Sequence, residues 1–394
     1  MPRPLLACLL PLLLAACVAQ PQRPEGCPPC AAAEAPKTEK PVEKPAEKPL
    51  QAADWSDLPG WEGEDRESLL PTFEAFVASC RSLERHDTWA AVCASARNAD
   101  REQLRPWFEA QFRPWQLVNP DGSRSGLITG YYEPVVKGSR SHKKAFSVPV
   151  FGVPDDLITV ELAEVYPELK GMRLRGRVEG RKLLPYYSRA EWARQEAKRA
   201  ESALMWVEDP IDFFFLQIQG SGQVQLDDGS RVRIGYAEQN GHPYRSIGKW
   251  LIDQGELKAE QASMQGIKQW VKTHPLKVQE LLNANPSMVF FRELPVEGSG
   301  PPGALGLPLT PERSIAVDPK GTPLGAPVWL VTTKPQSEAP LRRLMLAQDT
   351  GGAIRGPVRA DFYWGSGAEA GDLAGRMRQK GQMWALMPRG YAPK

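Results

Sequence analysis

Asp349-Thr350-Gly351-Gly352-Ala353-Ile354-Arg355-Gly356 and, after three residues, Ala360-Asp361-Phe362-Tyr363-Trp364-Gly365 carry the densest chemistry in this chain. Two aspartates occupy strand-like positions joined by a glycine-rich loop. Asp361 is flanked by Ala360, Phe362, Tyr363 and Trp364. An acid in an apolar, aromatic strand has its ionised form disfavoured, so its proton affinity is expected to rise. A carboxylic acid kept protonated near neutral pH can act as a general acid, and aromatic neighbours can stack on sugar faces. Composition alone fits equally well with Asp361 capping a turn and the aromatics forming core.

Working outward, residues 311–387 read as short strands, with a Pro-Lys-Gly-Thr-Pro turn at 319–323 and a Gly/Pro-rich linker before them at 297–310. Gly126–Pro134 is a short apolar run between Gly and Pro punctuation. Ala145–Phe151 and Met172–Val178 give further strand patterns. Phe213–Ile218 reads as an apolar strand. Val224, Leu226, Val232 and Ile234 alternate around Asp227-Asp228-Gly229-Ser230, a hairpin signal. Helical periodicity runs from Leu69 to Phe112, through Phe73, Phe76, Trp89, Val92, Leu104 and Phe108. Ser188 with Glu191 has capping-box spacing and predicts a charged helix to about Ala203. Ser246 caps a helix through Ile252, and helices over 257–273 and 276–283 flank Pro275. Strand and helix do not alternate regularly, which argues against a doubly wound sheet.

The N-terminus reads as an export segment. Arg3 precedes a short apolar run, Leu5–Leu14, too short to span a bilayer. Leu14-Ala15-Ala16-Cys17 resembles a bacterial lipobox. Residues 1–16 are then a signal peptide and Cys17 the lipidated first residue. By resemblance to other bacterial lipoproteins, Val18 rather than an acid after Cys17 implies an outer-membrane lipoprotein facing the periplasm. Residues 17–54 are proline-rich and repeat Glu-Lys-Pro at 39–41, 43–45 and 47–49, with no apolar face to bury. An extended, disordered tether is expected there. Cys27-Pro28-Pro29-Cys30 lacks a surrounding βαβ unit, so a local disulfide or free thiols suit it better than a redox role. Cys80 and Cys93 fall in consecutive predicted helices. In an oxidising compartment a disulfide pinning that helical hairpin is plausible, and two buried free thiols are the alternative.

The chain has 394 residues, 42% of them hydrophobic and 24% charged, with 49 Lys plus Arg against 47 Asp plus Glu. That length suits two domains, and the near-zero balance argues against nucleic-acid binding. The four histidines (His86, His142, His242, His274) share no metal-ligand spacing, and no cofactor is expected. Gly365-Ser366-Gly367-Ala368-Glu369-Ala370 matches a dinucleotide fingerprint, but only 24 residues follow it, too few for the rest of such a fold. A Gly-x-Ser-x-Gly elbow and a complete phosphate loop are both missing.

The two aspartate blocks, with Ala316-Val317-Asp318-Pro319, resemble the three-aspartate region of the membrane-bound lytic murein transglycosylase A family. Thr129–Pro134, Leu216–Gly222, Asn240–Lys249 and Asn285–Phe291 resemble that family's other blocks, in the same order, from about residue 60 to 387. The resemblance implies a mainly β fold with helical segments. A double-psi β-barrel would be built from residues 55–132 plus 297–388. An inserted β domain would span 133–296, with a glycan groove between the two.

The resemblance also implies a reaction: a lytic exotransglycosylase cleaving the MurNAc-β-1,4-GlcNAc bond of peptidoglycan and leaving 1,6-anhydro ends. The sequence itself leaves endo and exo cleavage open. Asp361 matches the catalytic aspartate, acid toward the leaving O4 and then base toward the C6 hydroxyl. Asp349 matches a second aspartate that orients the site. Asp318 matches the third and, with Tyr132, Glu133, Gln219, Ser221, Tyr244 and Lys249, is a candidate substrate contact. Two departures stand out: the Asp349–Asp361 loop is a residue longer than in some members, and Glu133 sits where some members carry Thr. A glycan hydrolase on the same barrel and a non-catalytic peptidoglycan-binding lipoprotein are the alternatives. Glycan strands are the expected partner, with peptidoglycan synthases or scaffold proteins as candidate ones.

Overall fold

The last strand among the described residues closes a ring that the middle of the sequence interrupts. The computed structural model describes residues 49–295, 298 and 300–393. The signal segment, Cys17, Cys27, Cys30 and the tether up to residue 48 lie outside the described residues. In chain order the strands are β1 (Leu50–Ala52), β2 (Phe112–Leu117), β3 (Gly126–Glu133), β4 (Val135–Ser139), β5 (Val148–Phe151), β6 (Ile158–Thr159), β7 (Arg175–Glu179), β8 (Lys182–Pro185), β9 (Ala203–Val207), β10 (Ser221–Leu226), β11 (Arg231–Gln239), β12 (Val289–Leu294), β13 (Ser314–Val317), β14 (Pro327–Thr333), β15 (Pro340–Asp349), β16 (Arg359–Ser366) and β17 (Arg378–Pro388). Strands β3, β17, β14, β15, β13 and β16 pair in that order, and β16 returns to β3. This is a closed six-stranded barrel, with β2 and β1 continuing outward from β17. The pairs β13–β15 and β16–β3 are parallel and the other ring pairs antiparallel. Between β3 and β13 the chain builds a second sheet, ordered β12-β11-β10-β4-β9-β5, and a small one of β6, β7 and β8. The molecule is thus mainly β, a barrel carrying an insert.

The helices are placed by caps and apolar stripes. Asp65 accepts from the Ser68 N–H and opens helix Arg66–Leu83. Its Leu69, Phe73, Phe76, Cys80 and Leu83 are buried in the barrel's apolar cluster, each burial contributing about 1.5–3 kcal/mol. Thr72 donates to the Leu344 carbonyl (2.6 Å), tying this helix to β15. The hairpin expected around Asp227–Ser230 is β10–β11. Ser246 caps helix Ile247–Asp253, and helices Met264–Thr273 and Val278–Asn283 flank Pro275.

Four sequence expectations are corrected. The expected tether of residues 17–54 overruns the fold, because Leu50–Ala52 is β1, paired with β2 and with Leu50 buried. Phe213–Ile218 is not a strand but part of helix Pro210–Gln219. Asp209 accepts from the N–H groups of Ile211 and Asp212, Pro210 opens the first turn, and Gly220 ends the helix at φ 79°. Those start and stop signals override the apolar run. The helix opened by Ser188 has its capping box, but stops at Ala193 and resumes as Glu196–Arg199. The C-terminal region is not all strands, because Gly367–Arg376 is a helix packed on β3 and β16.

Cys80 and Cys93 are disulfide-bonded, joining helix Arg66–Leu83 to helix Asp87–Arg97. Both are buried. Closing a loop this short removes unfolded-state entropy worth about 3 kcal/mol. The Cys80→Ser/Cys93→Ser double variant is therefore expected to lose roughly 2–4 kcal/mol, read as a lower denaturant midpoint with a slope that is the same or steeper, since the uncrosslinked unfolded chain exposes more surface.

Candidate active site

On β13, Ala316 pairs with Asp349 of β15 on one side and with Asp361 of β16 on the other. Asp361 in turn pairs with Thr129 of β3. Residues directly opposite one another share a face of a sheet. Their chain neighbours Ile315, Val317, Ala360, Phe362 and Ile128 point into the barrel's apolar cluster. The row Asp349–Ala316–Asp361–Thr129 therefore stands on the opposite face. Two strand spacings separate the aspartates, about 10 Å at Cα, and the short Ala316 side chain keeps the gap between them open.

Each carboxyl is held differently. Asp349 Oδ2 accepts from the Tyr131 hydroxyl (3.1 Å), and Oδ1 from the Ala304 N–H (3.1 Å). The preceding Gln348 is pinned too: its Oε1 accepts from Ser314 (2.5 Å), and its Nε2 donates to Ser79 (3.1 Å). Asp361 Oδ1 accepts from the Thr129 hydroxyl (2.5 Å), and Thr129 accepts from Arg359 Nη2 (2.8 Å). Asp361 Oδ2 has no hydrogen-bond partner among the described residues. A proton on Asp361 therefore belongs on Oδ2, the open oxygen.

Burial pushes the Asp361 carboxyl up, the Thr129 hydroxyl and the Arg359 guanidinium pull it down, and Asp349 pushes it up again; the net direction is upward. Burial also raises Asp349, against the N–H groups of Thr350 and Ala304 and the Tyr131 hydroxyl. Burial, then the two aspartates, hold Tyr131 far above the usual phenol range, so it remains a donor.

The other expected site residues scatter. Glu133 was expected to line a groove; instead it is fully buried, on Arg233 of β11 (2.7 Å), Gln223 of β10 (2.8 Å) and Ser366 of β16 (2.7 Å). A carboxylate so enclosed joins barrel to insert and cannot reach a glycan. Asp318 accepts from the N–H groups of Lys320 (3.1 Å) and Gly356 (2.8 Å). Burial raises it, but those bonds and Arg355 hold it below the usual carboxylate range. It braces the glycine-rich loop, where Gly356 adopts φ 102°, rather than facing a substrate. Phe362 and Tyr363, expected to stack on sugars, are buried in the fold. Half-buried Tyr132 donates to Met264 Sδ (3.4 Å), and burial pushes its hydroxyl up to about 12. Gln219 ends helix Pro210–Gln219 and Ser221 opens β10, both half-buried. Tyr244 is 55% exposed, and Lys249 pairs with Asp253 (2.8 Å) on an exposed helix face. Thr129, Tyr131 and Arg359, which complete the site, were not singled out in the sequence. Their role depends on pairing β3 with β16, 232 residues apart in the chain at Thr129–Asp361. Among the described residues no cluster of His, Cys, Asp and Glu could hold a metal ion.

Residues 127–292 match the model of the MltA specific insert domain, and residues 313–387 that of the 3D domain. The chain is 37% identical over 279 residues to membrane-bound lytic murein transglycosylase A of Escherichia coli K12, covering 69% of this chain and 68% of that one. Its structure resembles MltA of Neisseria gonorrhoeae, with a TM-score of 0.78 and 36% identity, over 89% of this chain and 99% of that one. It also resembles E. coli MltA with bound chitohexaose, with a TM-score of 0.64 and 28% identity, over 88% and 97%. With both domains in order, a shared architecture and identity of this level over more than two thirds of its length, the chain belongs to the membrane-bound lytic murein transglycosylase A family.

Proposed function

We propose that the chain is a lytic transglycosylase. It cleaves the β-1,4 bond between N-acetylmuramic acid and N-acetylglucosamine in peptidoglycan and leaves 1,6-anhydro ends. The observation that carries this is the asymmetry of the two aspartates. Burial raises both carboxyls, but Asp361 keeps one open oxygen, while both oxygens of Asp349 are occupied. A glycoside hydrolase needs a second carboxylate free to activate water or attack the sugar. A nucleophile carried by the substrate removes that need, because tethering supplies the effective concentration. Protonated Asp361 gives the Oδ2 proton to O4 as the C1–O4 bond breaks. The resulting carboxylate takes the proton of the muramic C6 hydroxyl as O6 bonds to C1. Asp361 ends as it began, and no water is consumed. Asp349, fixed by Tyr131 and Ala304, orients the site. The binding of chitohexaose by the E. coli relative supports a glycan as the ligand.

Mass spectrometry of murein digested by the purified protein tests the reaction. Anhydro ends, one water lighter than reducing ends, are expected; reducing ends would make the enzyme a hydrolase. The acid role has a pH signature. Activity falls as Asp361 ionises, and the Thr129 hydroxyl bond stabilises the ionised form. Thr129→Val is therefore expected to move the alkaline limb of kcat/KM to higher pH, and a limb that stays in place removes Thr129 from the proton-transfer site.

The Leu14-Ala15-Ala16-Cys17 stretch and the membrane-bound naming of the relatives support a lipid anchor at Cys17 in the outer membrane. No helix among the described residues is long and apolar enough to cross a membrane. Palmitate labelling that is lost in Cys17→Ser is the expected result.

A further inference from the structure

The row that carries Asp361 does not stop at Thr129. It continues to Arg378 of β17, and two residues along the strands a second row reads Arg359–Leu127–Lys380. Partners directly opposite share a face of the sheet, and so do residues two apart on one strand. All six side chains therefore stand on the site face. Strands lie about 4.8 Å apart and alternate residues about 6.7 Å apart, which puts Arg359, Arg378 and Lys380 about 7, 10 and 12 Å from Asp361 at Cα.

The fold does not use up these three cations. Among the described residues none of them forms an ion pair, and the charged ends of exposed Arg378 and Lys380 make no hydrogen bond. Half-buried Arg359 donates only to neutral oxygens: the Thr129 hydroxyl (2.8 Å), the Leu127 carbonyl (3.4 Å) and the Ala360 carbonyl. The acid that acts on it is Asp361, which is uncharged when poised to give its proton. Between Arg359 and Lys380 lies Leu127, 39% exposed, an apolar step in a charged strip. The opposite end of the Asp361 row, on β15, is Asp349. An anion beside Asp361 thus meets cations toward β17 and a second carboxyl toward β15.

In peptidoglycan the muramic C3, two ring bonds from the reacting C1, carries a lactyl-linked peptide with free carboxylates. We propose that the strip across β16, β3 and β17 seats this peptide stem, with Arg378 and Lys380 pairing its carboxylates and Leu127 meeting its alkyl side chains. Guanidinium and ammonium groups both suit carboxylate oxygens, and charge complementarity of this kind selects among partners. That the anion arrives on a peptide stem rests on the proposed function.

The full chain tests this on two forms of the same stem-bearing glycan strands. In both, stem amines are acetylated; in one, the carboxylates are also converted to methylamides. The stem keeps its bulk and loses its charge. The unmodified protein is expected to favour the carboxylate form about fivefold in kcat/KM, since exposed ion pairs are individually weak, and less at high salt. The Arg378→Gln/Lys380→Gln double variant is expected to lose that preference through the carboxylate form alone, with the methylamide form cleaved at the parent rate. Arg378→Lys/Lys380→Arg, which keeps both charges, is expected to retain it. Equal rates on the two forms with the unmodified protein overturn the proposal. So does a preference that survives the glutamine variant, and so does a variant that loses both substrates equally. Binding of the two forms to Asp361→Asn, read by anisotropy of labelled strands, is expected to show the same preference. That readout needs no cleavage, so failure of the proposed reaction leaves it standing, and equal binding overturns stem recognition on its own.

Discussion

Asp361→Asn is expected to lower the rate of muropeptide release by roughly 10³-fold, with binding to sacculi retained. The asparagine Oδ1 still accepts from Thr129, while Oδ2, the oxygen that delivers and recovers the proton, becomes an NH₂ that can do neither. The variant is also expected to be at least as stable as the parent at neutral pH. The folded protein holds the Asp361 pKa above its ordinary value of 3.8. Between that value and the raised one the native state binds more protons than the unfolded state, so stability falls as pH rises through the window. Replacing the acid by a neutral amide removes that fall. A loss of activity accompanied by a lower melting temperature at pH 7 would point to a packing role. Wild-type release by Asp361→Asn would end the catalytic assignment outright.

The second large effect is on folding. Glu133 and Arg233 are 0% and 2% exposed and form a forked pair, with Gln223 and Ser366 completing the carboxylate's partners. Arg233→Met leaves a carboxylate buried with its cation gone, expected to cost about 3–5 kcal/mol. Pairing it with Glu133→Gln is expected to recover much of that loss, since a buried ion pair replaced as a unit is often near neutral. Denaturant midpoints of the two singles and the double measure the coupling. Additive losses would mean that the pair acts only through packing. Because Glu133 ends a barrel strand and Arg233 lies in the insert sheet, the single variant should also loosen the insert relative to the aspartates, seen as a higher KM for murein.

Sequence and structure agree where a short stretch decides the outcome. The Asp-Asp-Gly-Ser turn specifies its hairpin through glycine chemistry at Gly229, and Ser188, Ser246 and Pro275 mark helix ends with their own atoms. The direction of the Asp361 shift agrees with the sequence, but its cause is burial on the site face; Ala360 and Phe362 point the other way, into the barrel core. Phe213–Ile218 is ambiguous in the sequence because six apolar residues suit a buried strand or helix alike; Asp209, Pro210 and Gly220 decide it from just outside the run. Glu133 could not be placed from sequence. Its partners Gln223, Arg233 and Ser366 are brought to it by register between distant strands, and a lone carboxylate after two tyrosines does not announce burial. The same holds for Thr129 and Arg359, whose bond to each other crosses 230 residues.

The ring order also governs when the barrel can form. Its closing strand, β17, pairs with β2, β3 and β14, yet of the ring's strands it comes last in chain order. Until residues 378–388 emerge, β3 and β14 present open edges of the kind that recruit other chains, and the closure spans most of the sequence, which slows it. The insert has no such delay, because all its strands lie between β4 and β12. A chain interrupted before residue 378 is thus expected to retain an ordered middle while its two ends, barrel strands without a barrel, drive it into aggregates.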